Sequence, residues 1–162
     1  MKSNPVAKKP WRYAGYPKKT VRLYLAEGRV LPKKLKGEDR ARPQMTLAEC
    51  QNYVDSVLTS SYVRTRYSFN KRIRVTDGRG FEAGAALFSK DGKPVIHLPR
   101  FTRNKHYILH EITHHLVGIN EAHNAIFTTA LLRLVKAQMG HSAYSKLKSA
   151  YLEKGVEFAG RR

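Results

Sequence analysis

Apolar residues fall at helical spacing after Thr46. Leu47, Cys50, Val54, Val57 and Leu58 lie on one face, and Thr46 stands where a helix is capped. Upstream, Thr20–Leu25 reads as a short strand or a single helical turn. Downstream, Tyr62–Tyr67 and Arg72–Thr76 read as strands, the second ending at Asp77-Gly78. Phe81–Ser89 and Pro94–Leu98 flank Lys90-Asp91-Gly92-Lys93, which predicts a hairpin. The pattern then returns to helical spacing from about Arg103 to Val117, with Thr102 as a cap and Gly118 as a stop. Two further helices are expected over 122–139 and 142–154, divided by Gly140. Helix, then strands, then helices is an α+β order: a small, mostly antiparallel sheet packed on one central helix, with further helices C-terminal to it.

Charge changes this picture at the N-terminus. The 162 residues carry 31 Lys and Arg against 12 Asp and Glu, a net charge of +19. Residues 1–45 alone hold thirteen basic and three acidic residues, with Pro5, Pro10, Pro17, Pro32 and Pro43 among them. Residues 1–45 therefore read as a basic arm and linker, and 46–162 as the folded domain. Lys8, Lys9, Trp11, Arg12, Lys18 and Lys19 interleave aromatic and basic groups. Such a stretch suits a non-specific nucleic-acid contact, because cations neutralise phosphates and rings stack on bases. One cysteine, Cys50, allows no intrachain disulfide and no thiolate metal site, and points to a reducing cytoplasm. Met1–Pro10 is followed by no apolar core of the signal-peptide kind, and no apolar run suits a membrane span.

The candidate chemistry sits on the central helix. His110-Glu111-Ile112-Thr113-His114 places two imidazoles four residues apart, one turn above the other, where both reach one zinc ion. Glu111 stands beside them without being needed as a ligand. At about 100° per residue, Ile108, Leu109, Ile112, Leu116 and Ile119 gather on one side, and Tyr107, His110, His114 and Gly118 on the other. One face can pack on the sheet while the other lines a cleft. His115 lies about 140° from His110, points away from the metal face and serves packing or the support of a ligand. His97, His106 and His141 read as ordinary histidines.

A third protein ligand is required. Val117 and Asn120 stand where the metzincin pattern needs Gly and His, which excludes that subclass. Glu121 and His123 remain. His123 is favoured, because a turn at Gly118–Asn120 can swing the next helical segment over the first. Three neutral imidazoles leave zinc a position for water, and Glu111 becomes the general base that takes its proton. A protein or peptide substrate is the default for such a site. The strand Pro94–Leu98 is the candidate to pair with it, and Tyr107 or Tyr144 the candidate to stabilise an oxyanion. The competing expectation is a basic nucleic-acid-binding protein whose zinc core is subsidiary or inactive.

The chain also resembles a family of small zinc metallohydrolases of actinobacteria and their phages, and more distantly the SprT-like zincins. The resemblance runs through Val21–Glu27, Leu47–Leu58, Val95–Pro99, His110–Leu116, Ala122-His123 and Ala150–Val156. It implies a minimal zincin-like domain, a zinc cofactor and hydrolysis. In that family a His-Gly-Pro-x-Phe segment supplies the third ligand, which the resemblance carries onto His123. Asn124 and Ala125 stand here in place of the Gly-Pro pair, and Phe127 matches the aromatic.

Overall fold

The computed structural model describes residues 15–31, 45–80 and 83–160. Among these residues five helices accompany a three-stranded sheet: α1 (Lys18–Glu27), α2 (Leu47–Thr59), α3 (Ser61–Arg66), β1 (Arg74–Asp77), β2 (Ala85–Phe88), β3 (Pro94–Leu98), α4 (Lys105–Val117) and α5 (Ala125–Lys154). This is the α+β order expected. The sheet is mixed. Its order is β1-β3-β2, with β3 parallel to β1 and antiparallel to β2. The hairpin of β2 and β3 closes over Ser89–Lys93, where Lys93 N–H donates to the Ser89 hydroxyl at 3.2 Å.

Local chemistry explains most boundaries. Thr46 caps α2 and forms a reciprocal pair with Glu49, whose carboxylate accepts from the Thr46 N–H at 2.7 Å. Tyr62–Tyr67, expected as a strand, lies largely within helix α3. Ser60 caps it by accepting from Val63 N–H, and Val63 alone of its residues is buried. The rings of Tyr62 and Tyr67, at the two ends of this segment, pack together at 6.5 Å. The central helix starts two residues later than expected. The Thr102 hydroxyl donates to Pro99 C=O, and Asn104 caps α4 instead, accepting from Tyr107 N–H at 3.0 Å. Gly118 ends α4 at φ 103°, a conformation favouring glycine. Gly140, at φ 88°, breaks helical geometry inside α5 where two helices were expected to part.

The core draws on every layer. Leu23 and Ala26 of α1 pack with Val54 and Val57 of α2, Ile96 and Leu98 of β3, Ile108, Leu109 and Ile112 of α4, and Phe127, Leu131 and Leu134 of α5. Residues 18–27 were grouped from sequence with the basic arm. They form an amphipathic helix on α5 and contribute Leu23 and Ala26 to the same core cluster as α2, α4 and α5. Two side chains tie the layers at the sheet. Gln51 of α2 binds the β1 backbone on both sides, donating to Ile73 C=O at 3.0 Å and accepting from Val75 N–H at 2.8 Å. Buried Arg103 joins Leu98 C=O to Asp77 and so anchors the start of α4.

Gly78 lies where β1 ends beside the end of β3. A Cβ added there would stand 2.4 Å from Pro99 Cδ and 2.5 Å from Pro99 N, and neither can yield without moving backbone. Gly78→Ala is therefore expected to destabilise the fold by about 1–3 kcal/mol. Thermal unfolding of the two proteins checks this, and an unchanged midpoint would contradict the close approach.

No helix among the described residues is long and apolar enough to cross a membrane.

Candidate metal centre

Two helices and the turn between them bring three imidazoles together. His110 and His114 project from α4. The short 3-10 turn Ile119–Glu121 and the bend after it reverse the chain, and His123 adopts φ 59°. A non-glycine residue in that region is strained. Here the strain aims the His123 ring back onto α4. Asn124 then caps α5, accepting from the Ile126 and Phe127 N–H groups. The Asn124–Ala125 pair thus starts the helix without the Gly-Pro of the resembled pattern. Phe127, one turn on, packs its ring against His110, His114 and His123 at 4.9, 4.4 and 4.9 Å between centroids.

His123 Nε2 stands 3.1 Å from His110 Nε2 and 3.1 Å from His114 Nε2. The ligand atoms of the three residues all lie within 4.8 Å of one another. Tetrahedral zinc with bonds of about 2.0–2.1 Å spaces its ligand nitrogens at roughly 3.3 Å. Hydrogen bonding alone does not balance this arrangement. His123 Nε2 has either one lone pair or one N–H, yet two nitrogens face it. One contact is then poorly matched whatever the tautomer, and a cation among the three nitrogens removes the mismatch. Burial and the neighbouring His110 push the pKa of His123 down to about 4 and also lower that of His114. Both rings are therefore neutral, as ligands must be. The donor set fits zinc.

Glu121, the alternative third ligand, is engaged elsewhere: its carboxylate accepts from the Asn124 side-chain amide. His115 points to the sheet, as expected. Its Nε2 lies 3.1 Å from Val95 C=O, and its ring packs on Phe88. His97 bonds the Thr76 hydroxyl and His141 the Ser145 hydroxyl.

Glu111 is buried, 5% exposed, between α4 and β2. It accepts from the Ala86 N–H. Gly84 makes room for it, since a Cβ there would lie 2.9 Å from its Oε1. Burial pushes its pKa up to about 7; His110 opposes the rise and the Glu27 charge adds to it. A carboxyl poised near neutrality suits a proton shuttle.

The polar face of α4 was expected to line a cleft. Glu27 and Tyr24 of α1 and Phe127 of α5 cover its His110 end, leaving His110 4% exposed, while Tyr107 and His114 stay half-buried and Gly118 exposed. The covering residues of α1 were missed from sequence. Glu27 Oε1 lies 2.8 Å from both His110 Nδ1 and His106 Nε2. Burial alone would raise the Glu27 pKa, but the two histidines, His110 foremost, hold it below the usual carboxylate range. His106, read as an ordinary histidine, is thus part of the centre's support. The ring of Tyr24 lies 6.0 Å from that of His110 and 5.5 Å from that of His123. Burial, with the charges of Glu27 and Glu111, raises its pKa and keeps the hydroxyl protonated. Tyr24 thus lies against two ligand rings, whereas Tyr144, one of the tyrosines considered from sequence, packs among His141, Lys136 and Lys148. The signal available in the sequence was spacing: Thr20, Tyr24 and Glu27 repeat at i, i+4 and i+7, and His106 precedes His110 by one turn.

Of the basic–aromatic residues, Lys18 and Lys19 are exposed in the first turn of α1. Lys8, Lys9, Trp11 and Arg12 lie outside the described residues. The strand expected to pair with a peptide, Pro94–Leu98, is the central strand β3. Both its edges are taken, by β1 and β2, so it has no free edge to offer. Compared with protein-family profiles, with curated proteins and with solved structures, the chain matches none.

Proposed function

We propose that the chain is a zinc-dependent metallohydrolase, and specifically a metallopeptidase, with zinc held by His110, His114 and His123. The observation that carries this reading is the convergence of three imidazoles beside a buried glutamate that is not among them. A site that only held a metal for stability would have no use for that glutamate. When bound, zinc supplies Lewis acidity, which polarises a carbonyl and makes water more acidic. Glu111 takes the proton from the attacking water and delivers it to the departing amine. The Tyr24 hydroxyl, kept protonated, is a donor beside the same centre. Strand β2 lies at the sheet edge next to Glu111, with Leu87 and Phe88 exposed on it. An extended peptide chain can align there by backbone pairing. Zinc analysis with a peptidase assay on the wild type and Glu111→Gln tests the proposal. A reducing cytoplasm is the compartment we assign, since Cys50 is free and buried.

A separate observation favours a second reading, contact with DNA or RNA. From Ala122 to Leu152 the chain has no Asp or Glu, while Arg133, Lys136, Lys146 and Lys148 fall within it. Lys136 Nζ and Lys148 Nζ lie 5.1 and 5.8 Å from the Tyr144 ring centroid. A ring flanked by cations offers both stacking and phosphate neutralisation. This contact would bring the peptidase to substrates on nucleic acid, with Lys8, Lys9, Trp11, Arg12, Lys18 and Lys19 extending it. Binding is expected to weaken steeply with salt. Exchanging Lys8, Lys9, Arg12, Lys18 and Lys19 for Gln should flatten the plot of log K against log[salt] by up to about 4 units. Mobility-shift titrations at several salt concentrations measure this; an unchanged slope removes these residues from the contact.

A further inference from the structure

We infer that helix α1 is a working part of the metal centre: Glu27 and Thr20 orient the ligands His110 and His123, so that metal binding and the docking of α1 stabilise each other. The inference rests on reading His110, His114 and His123 as a zinc site.

One stripe of α1, made by Thr20, Tyr24 and Glu27, faces the ligands. At its C-terminal end, Glu27 Oε1 meets His106 Nε2 and His110 Nδ1, each at 2.8 Å. The nitrogen of His110 that faces Glu27 is the one opposite its metal-facing Nε2. A carboxylate there draws the imidazole proton to Nδ1 and leaves the Nε2 lone pair for a metal; the tautomer is assigned from these partners. His106 grips the same oxygen from the neighbouring turn of α4 and fixes the direction of the carboxylate. At the other end of the stripe, Thr20 Oγ1 lies 3.4 Å from His123 Nδ1, again the nitrogen remote from the cluster. Between them the Tyr24 ring lies against both ligand rings. The third ligand differs: His114 Nδ1 is buried with no hydrogen-bond partner, and its ring is steadied by Phe127. Orientation of two ligands out of three therefore comes from α1.

The electrostatics run the same way. Glu27 is 4% exposed, and among the described residues its hydrogen-bonding partners are the histidines His106 and His110. A buried carboxylate demands nearby positive charge. A dication on the far side of His110 supplies it through the ring. Conversely, the carboxylate offsets part of the dication's charge within a strongly basic protein. Each charge makes the other easier to bury, and linkage makes the effect reciprocal.

The test uses the full chain. Zinc affinity is measured by competition with a chromophoric chelator for wild type, Glu27→Gln and Thr20→Val, alongside thermal melting of each metal-free protein. Hydrogen exchange of residues 18–27 is measured in the wild type with and without zinc. Glu27→Gln is expected to weaken zinc binding by about 10–100-fold, and Thr20→Val to weaken it less. Zinc should slow exchange throughout α1. A purely structural Glu27 would lower the metal-free melting temperature and leave the zinc dissociation constant unchanged, which would overturn the inference. So would α1 exchange indifferent to zinc, a measurement that decides even if Glu27→Gln does not fold. A wild type that binds no zinc would instead remove the zinc site itself.

Discussion

Glu111→Gln is expected to fold, keep its zinc and lose peptide hydrolysis by about 10²–10⁴-fold, the usual worth of general-base assistance. The substitution keeps the side chain's length and its seat between Gly84 and Ala86. What it removes is the ability to accept a proton. A buried carboxyl whose pKa stands at about 7 is present in its basic form in useful amount near neutrality. An amide has no such form. Zinc content should stay at one per chain, because the three imidazoles are untouched. Activity of both proteins at matched zinc content, on a broad peptide library, makes the comparison. Equal turnover would remove Glu111 from the mechanism. No turnover in either, with zinc bound in both, would favour a metal-stabilised binding protein.

The second large effect concerns His123. His123→Ala should reduce zinc affinity by more than the roughly 100-fold upper end of losses seen when only a ligand's supporting partner is removed. It should also abolish the rise in melting temperature that zinc confers on the wild type. A ligand at 1,000 times its dissociation constant stabilises a fold by about 4 kcal/mol, so the rise is readily measured. Glu121→Ala is the matched control. Glu121 holds the Asn124 side chain and takes no part in the cluster, so its loss should leave zinc in place. Full occupancy in His123→Ala together with loss in Glu121→Ala would reassign the third ligand.

Some of this centre could be read directly along the chain. The four-residue step from His110 to His114 needs only a helix to bring two imidazoles together, and the apolar pattern around it predicts that helix. Thr46, Gly118 and Gly140 mark breaks that are purely local, where a side chain or a φ angle decides whether a helix starts or stops. The hairpin of β2 and β3 is local in the same sense. His123 was legible through its nearness to the motif. Its strained φ of 59° was not, since that conformation accompanies the packing of His123 against α4, α1 and Phe127.

What the linear chain could not show is whatever depends on residues far apart meeting. The parallel pairing of β1 with β3, which takes one edge of the central strand, is non-local. Helix α3 is different: its Ser60 cap and its one buried residue, Val63, are local, and the strand reading of Tyr62–Tyr67 overlooked that cap. Glu27 is the sharpest non-local instance. In sequence it is one of three acids in a stretch of thirteen cations, and charge density argues for a solvated arm. In the fold it lies 83 residues from its partner His110 and almost wholly out of water. The sequence by itself determined the helix, the motif and the ligand types, because those follow from spacing within a few turns. Only the tertiary structure decided which charge stands behind the ligands, because burial turns a surface carboxylate into one that must find a positive partner.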